Sequence, residues 1–479
     1  MKEITIQPVS RIEGHAKVTI QLDDKGNVAD TRVNVVEMRG FEKFCVGRPV
    51  EDLPRITPRI CGVCPWAHHL ASSKATDEVF GVDPPEAAKK IRELALLNHY
   101  IESHIAHFYF LSGPDFVIGP TADYKDRNVF GIVKANPELA KKVVRMRFMA
   151  QTNCQLIGAR AIHPVVSVPG GWAKPITSEE LMQLENNSAE LLDFAKFSIK
   201  NAKENIFPKY IDVVKSLAVF DTAFMGTVDD EGAINFYDGK LRMMRKDGSY
   251  KEFEAKDYLD HISEKIMPWT YLKFPYNKED GDLEMDPENP LGVYRVNCLA
   301  RINVCDKIST PLANEELKAF RKQFGRPAQQ TLLYHWARLI ELLYAAERSV
   351  ELLEDPDITS TNLRKKVTPR AARGVGCVEA ARGTLIHDYE TDKNGIVTNV
   401  NLIVATTNNN AAINMSADMA AKSLIKNGKY DQGLLNMVEM SIRAHDPCFS
   451  CATHKLDGRV AVKLDILDSN GNVIDTLTN

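Results

Sequence analysis

A chain of 479 residues is long enough to bury one large core or two to three domains. Its 60 Lys and Arg stand against 64 Asp and Glu with no long basic run, which disfavours nucleic acid as a partner. No apolar stretch approaches the ~18 uninterrupted residues of a membrane-spanning helix, and Met1-Lys2-Glu3 opens no apolar leader, so the sequence reads as soluble and cytoplasmic.

The first residues alternate like a hairpin, with Val18, Ile20 and Leu22 before the turn Asp23–Asn27 and Val33, Val35 and Val36 after it. Long helical patterns follow. Ile91, Leu94, Leu97, Ile101, Ile105 and Phe108 recur at three- and four-residue steps, as do Leu332, Trp336, Leu339, Leu343 and Val350, which marks core helices. Between them, about 221–307 is rich in Gly, Asp and aromatic residues, with turn pairs Asp238-Gly239 and Asp247-Gly248, and reads as a β-containing excursion. A strand pair is expected around Lys393-Asn394-Gly395, a helical stretch over about 411–444, and a last hairpin around Ser469–Asn472. The expected class is α+β, a mainly helical body with peripheral hairpins and sheets.

Nine cysteines, an odd number, do not suggest a disulfide framework. Cys45, Cys154, Cys298, Cys305 and Cys377 are scattered singly and read as buried thiols. The other four form two Cys-x-x-Cys pairs at opposite ends, Cys61-Gly62-Val63-Cys64 and Cys448-Phe449-Ser450-Cys451. Two such pairs are a strong metal-site signal, because the two-residue spacer lets both sulfurs face one ion. A zinc ribbon closes a loop of roughly 12 to 20 residues. Here the site would tie together the two ends of the chain. Thiolates suit nickel and iron as well as zinc, so the pairs alone leave the metal open.

The segments Arg11-Ile12-Glu13-Gly14-His15, Arg39-Gly40-Phe41-Glu42, Arg59-Ile60-Cys61-Gly62-Val63-Cys64-Pro65-Trp66-Ala67-His68 and Asp446-Pro447-Cys448-Phe449-Ser450-Cys451-Ala452-Thr453-His454 decide among these metals. In this order they resemble the signature segments of nickel-iron hydrogenase large subunits, and within that family the cytoplasmic enzymes of methanogens that reduce viologen dyes rather than the deazaflavin coenzyme. The resemblance implies a large-subunit fold over 1–454 and removal of 455–479 after His454 by a maturation endopeptidase. It implies that Cys61 and Cys448 bind nickel, that Cys64 and Cys451 bridge nickel and iron, and that the iron carries one carbon monoxide and two cyanides.

Splitting dihydrogen, an apolar and very weak acid, into unlike halves needs a metal and a base beside it. The resemblance assigns the first base to Cys448 and the proton relay to Glu13. His68 is implied to donate to a bridging sulfur without ligating, although Cys-x-x-Cys-x-x-x-His also suits a zinc ligand. Arg382, in Glu379-Ala380-Ala381-Arg382-Gly383, matches an arginine over the metals. Thr406 matches a hydroxyl donor to a cyanide, and Asp446 a carboxylate that orients the arginine. This chain departs from the family with Ala381 and Ala405 in place of prolines and Ser103 in place of a second carboxylate. Glu42, His454 and the Leu402 carbonyl match the ligands of a second, magnesium or iron, ion. His104 and His107 read as core histidines.

No ferredoxin-type cysteine run exists here, so electrons require an iron-sulfur small subunit. The resemblance adds an electron-transfer subunit linking to a heterodisulfide reductase. The competing readings are a metal-free scaffold subunit of a redox complex and a zinc-stabilised structural protein.

Overall fold

The computed structural model describes residues 2–37, 40–452, 463–467 and 473–478. Helices bury one face against one another and against the apolar face of a short sheet, and the segments around Glu13 and Cys448 meet. Four long helices make the body: Glu86–Ile105, Pro137–Gly158, Ser178–Asn201 and Tyr334–Glu354. Tyr334–Glu354 packs on both Ser178–Asn201 and Glu86–Ile105, and its Leu339, Ile340, Leu342 and Leu343 are buried. The start signals are local. Thr177 and Glu180 form a reciprocal capping box ahead of Ser178–Asn201, and the Asn136 side chain accepts the Leu139 N–H at the start of Pro137–Gly158.

A fifth helix, Pro65–Phe80, leaves the first cysteine pair and is buried on almost every side. It lies on a three-stranded antiparallel sheet of Ala372–Ala380, Gly383–Thr391 and Val397–Ile403. Close approach is possible because Gly376 lacks a side chain: a Cβ there would stand 2.0 Å from the Ala71 carbonyl oxygen.

The N-terminal hairpin pairs Lys17–Leu22 with Val28–Asn34 as expected, and Lys2–Ile6 adds a third strand. Val33 and Val35 are buried, but Val36 lies past the strand and is exposed. The excursion holds a four-stranded sheet of Tyr294–Arg295, Ala223–Val228, Lys240–Met244 and Tyr250–Phe253, plus the hairpin Ile262–Ile266 with Lys273–Asn277. It returns to the body through the helix Cys298–Val304.

The stretch 411–444 is two helices, Asn410–Leu424 and Gln432–Ala444, rather than one. Asn427 and Gly428 between them both take left-handed backbone, φ 53° and 70°, which an α-helix cannot continue through. The final hairpin pairs Lys463–Leu467 with Val473–Thr478. Its turn, with Thr453 and His454, lies outside the described residues. Among the described residues no helix is long and apolar enough to cross a membrane.

Candidate metal centre

Cys61 follows the 3-10 turn Thr57–Ile60, and Cys64 immediately precedes the helix Pro65–Phe80. Proline suits that first helical position, where its missing N–H costs nothing. Cys448 precedes the single 3-10 turn Phe449–Cys451, and Cys451 closes it. The four sulfurs are buried and lie within 4.8 Å of one another. Cys61–Cys448 is 3.3 Å, Cys64–Cys451 3.1 Å, Cys448–Cys451 2.8 Å and Cys64–Cys448 4.0 Å. Thiolates at about 2.3 Å from a tetrahedral ion stand roughly 3.8 Å apart; these sulfurs lie near that spacing or closer, gathered tightly enough for one centre to reach all four.

Burial pushes the Cys448 and Cys451 thiols well above the ordinary thiol range. Cys61 is drawn well below it by hydrogen bonds from Cys448, Cys451 and Cys64. Ionising all four requires a cation at the centre of the cluster.

Glu13 reaches this cluster from the other end of the chain. Its carbonyl accepts the Phe449 N–H at 3.1 Å, and its carboxylate accepts the Ser450 N–H at 3.3 Å and the Ser450 hydroxyl. The contact is tight: a Cβ at Gly14, which has φ +80°, would come within 2.7 Å of the Ser450 nitrogen. The carboxyl is half-buried, and burial followed by the Cys61 thiolate raises its pKa above the ordinary value. The segment is bolted down by Arg11, which donates to Leu111 O at 2.7 Å, Asp115 at 2.5 Å and Asn436 at 3.0 Å. Arg443 meets the same Asp115 at 2.6 Å and donates to Ser10 O at 3.0 Å.

Arg382 hangs over the cysteines from the two-residue turn Ala381-Arg382 that joins two sheet strands, Ala380 pairing with Gly383. The turn is fixed by buried Arg301, whose guanidinium donates to the carbonyls of Ala380 and Ala381 at 3.0 and 3.1 Å while paired with Glu341 and Glu379. Arg382 donates to Asp446 at 3.0 Å and to the Ser103 hydroxyl at 3.3 Å. Asp446 itself has left-handed φ, 50°, unusual for a residue with a side chain. Serine here takes over the canopy contact as a neutral acceptor. Thr406 Oγ1 accepts the Cys448 N–H at 2.9 Å, which leaves its own hydrogen to donate.

Around the cysteines, Arg382 Nε, Asp446 Oδ2 and His68 Nε2 are buried without a hydrogen-bond partner among the described residues. Such atoms are costly to leave unmet. Donors and acceptors converging on four thiolates fit a metal centre that carries polar ligands of its own.

Glu42 is buried, and its Oε1 accepts the Leu402 N–H at 2.8 Å and lies 3.4 Å from the Lys273 ammonium. In a strand the N–H and C=O of one residue point to the same side, so the Leu402 carbonyl also faces the Glu42 side. His454 is outside the described residues. His104 and His107 are core groups, His104 Nε2 on Glu341 at 3.0 Å and His107 Nε2 on the Arg443 carbonyl at 2.9 Å, while His104 Nδ1 has no partner among the described residues. The five single cysteines are free and buried.

Two contributors are missed by sequence reasoning. Ser450 sits inside the second cysteine pair, where only its contact with Glu13 gives it meaning. His99, one helical turn before Ser103, is buried with neither ring nitrogen partnered, and burial with the Arg382 charge pushes its pKa down to about 3. The i, i+4 spacing of His99 and Ser103 is the available signal.

A buried four-thiolate centre built from both chain ends, under an arginine canopy, defines a class of redox metalloenzyme. The family model "Nickel-dependent hydrogenase" matches residues 39–144 and 294–454, and a "HoxL-like" model matches 3–38. A vhu subunit of the F420-non-reducing hydrogenase of Methanococcus voltae is 48% identical over 89% of this chain and all of its own. The beta subunit of the NAD-reducing hydrogenase HoxS of Cupriavidus necator is 38% identical over 99% of both. A crystal structure of an NAD+-reducing [NiFe]-hydrogenase in the H2-reduced state superposes with a TM-score of 0.90 at 38% identity, covering 95% of this chain and 100% of that one. The chain belongs to the nickel-dependent hydrogenase family, as its catalytic large subunit. The metal-free scaffold and zinc readings are not favoured.

Proposed function

We propose that this subunit cleaves dihydrogen reversibly at a nickel-iron pair held by Cys61, Cys64, Cys448 and Cys451, with Glu13 carrying the proton away. The observation that carries the reading is the convergence of four buried sulfurs, within 4.8 Å, in a chain of this family. The pair supplies the Lewis acidity and electron-accepting chemistry that heterolysis needs. Cys61 and Cys448 would hold the nickel, and Cys64 and Cys451 would serve both metals. Cys448 receives the first proton. Glu13, joined to the Cys448 segment by backbone and side chain, takes it next; its raised pKa suits exchange with a thiol.

Carbon monoxide and two cyanides would be the iron's own ligands. Arg382 and Thr406 offer donors to such anions, and Asp446 with Ser103 orients the guanidinium. His68, whose buried Nε2 has no partner among the described residues, would donate to a bridging sulfur. Glu42, the Leu402 carbonyl and His454 hold a magnesium or iron ion.

Residues 1–454 form the mature subunit, and an endopeptidase removes 455–479. Electrons leave to an iron-sulfur small subunit. Gly62 and Val63, between the first two ligands, are exposed, and a depression is lined by Phe41, Phe44 and Ile56 with Arg55 and Arg59; both features support docking. A cytoplasmic complex, with a further electron-transfer subunit linking to a heterodisulfide reductase, is the assembly this reading implies. Metal analysis beside dihydrogen-dependent dye reduction tests the reading. Nickel and iron with activity are expected; zinc alone would overturn it.

A further inference from the structure

Glu13 rides on a short segment that one later stretch of chain grips at both ends. At the far end the Glu13 carbonyl takes the Phe449 N–H, its carboxylate takes the Ser450 N–H and hydroxyl, and the carboxyl meets the Cys448 thiol. At the near end Glu439, on the helix Gln432–Ala444, accepts the Ser10 N–H at 2.9 Å and the Ser10 hydroxyl at 2.8 Å. Arg443, five residues before Cys448 on the same stretch, donates to the Ser10 carbonyl at 3.0 Å.

Asp115 stands between the two from a third element, the helix Gly113–Val117, which follows the π-helical turn Ala106–Ser112. Its Oδ1 accepts from Arg11 at 2.5 Å and from the Asn436 amide at 3.0 Å, and its Oδ2 accepts from Arg443 at 2.6 Å. Asp115 and Arg443 are buried. Arg11 has left-handed backbone, φ 55°, which a residue with a side chain keeps only where its surroundings impose it. The bonds from its guanidinium to Asp115, Asn436 and Leu111 O supply that constraint, and the bends at Arg11 and Gly14 leave Glu13 between them facing Ser450.

We propose that Asp115 is a positioning residue for proton transfer: by seating one guanidinium on each carboxylate oxygen it locks residues 10–14 to the stretch that ends in the second cysteine pair, and so fixes the Glu13 carboxyl at Cys448. Arg11 and Arg443 carry like charges, and the carboxylate between them turns repulsion into a bracket. An amide at position 115 offers one acceptor and turns an N–H toward the other guanidinium, so one arm must move. Proton transfer needs heavy atoms within about 2.6 to 3.2 Å. A misplacement of about 1 Å costs ~100-fold, so a smaller slip of this segment costs about tenfold.

The inference rests on Glu13 as the relay, and isotope chemistry keeps the two apart. In holoenzyme with its iron-sulfur partner, conversion of para- to ortho-dihydrogen needs only cleavage and rejoining of the same two atoms. HD formation from D2 in water also needs the released deuteron to leave past Glu13 and a solvent proton to return. Near wild-type HD formation by Glu13→Gln would overturn the relay and this inference with it. With that variant impaired, Asp115→Asn should lower HD formation and dye reduction about tenfold at unchanged nickel content, while para–ortho conversion stays within about twofold. Added to Glu13→Gln, it should lower the residual exchange less than about twofold, because a displaced relay and an absent one fail at the same step. Amide hydrogen exchange should quicken in the peptide spanning 446–452 and stay unchanged in the helix Tyr334–Glu354. If Asp115→Asn does not accumulate as folded, nickel-loaded protein, Arg11→Lys decides, with the same pattern expected. HD formation near wild type, a parallel loss of para–ortho conversion, a full tenfold added to Glu13→Gln, or unchanged amide exchange over 446–452 would overturn the proposal.

Discussion

Replacing Arg382 by Lys keeps a positive charge beside Asp446 and removes a planar fork. The native guanidinium divides its terminal nitrogens between Asp446 at 3.0 Å and Ser103 at 3.3 Å, and its Nε–H has no protein partner among the described residues. An ammonium on a shorter stem can follow one of these partners but not both, and has nothing in place of Nε–H. The loss is then two hydrogen bonds from a charged donor, each worth roughly 1.5 to 3 kcal/mol. The lower end of that sum, about 3 kcal/mol, corresponds to about a hundredfold in rate at ~1.4 kcal/mol per tenfold. Dihydrogen uptake with a viologen dye, normalised to nickel content, measures it. A loss smaller than about tenfold with full metal loading would refute the reasoning and reduce Arg382 to a point charge.

Cys448→Ser should abolish both uptake and hydrogen isotope exchange, because a soft metal ligand and the first proton acceptor vanish together; more than about a tenth of wild-type exchange would contradict the assignment. Glu13→Gln should keep nickel and lose steady-state turnover, since an amide fills the same space but relays no proton; near wild-type turnover would move the relay elsewhere. Arg301→Met should destabilise the fold by about 3 to 5 kcal/mol in denaturant titration, because it leaves Glu341 and Glu379 buried without their cation. Intact mass of protein from an active source should show loss of Lys455 to Asn479, with those residues retained when nickel is withheld; an active, loaded chain of all 479 residues would contradict that expectation.

Local chemistry in this chain is legible in the order of its residues. The cysteine pairs announce themselves by spacing, and apolar periodicity locates the helices containing Ile91 and Leu339 because burial on one face imposes it. Punctuation carries equal weight: Asn427-Gly428 is an ordinary turn dipeptide, and it splits the helical pattern of 411–444 in two. Family resemblance, not spacing, suggests the roles of Glu13, Arg382 and Thr406. What no local pattern reveals is partnership across hundreds of positions. Asp115 reads as one more surface acid until Arg11 and Arg443 close on it from 104 and 328 residues away. The Arg301 brace on the Arg382 turn is equally invisible, since each bond joins elements that only packing brings together.

The two cysteine pairs are separated by 387 positions, so a metal shared between them closes almost the whole polypeptide into a ring. In the chain-entropy treatment of cross-links, a ring of that length removes conformational freedom from the unfolded chain equivalent to about 6 kcal/mol. A centre shaped for chemistry therefore also acts as the longest staple in the molecule. Extraction of the metals should loosen the N-terminal hairpin and the last helix together, although neither touches the ion, and leave the four-helix body standing. A damaged centre would in this way release the segments around Glu13 and Cys448 at once.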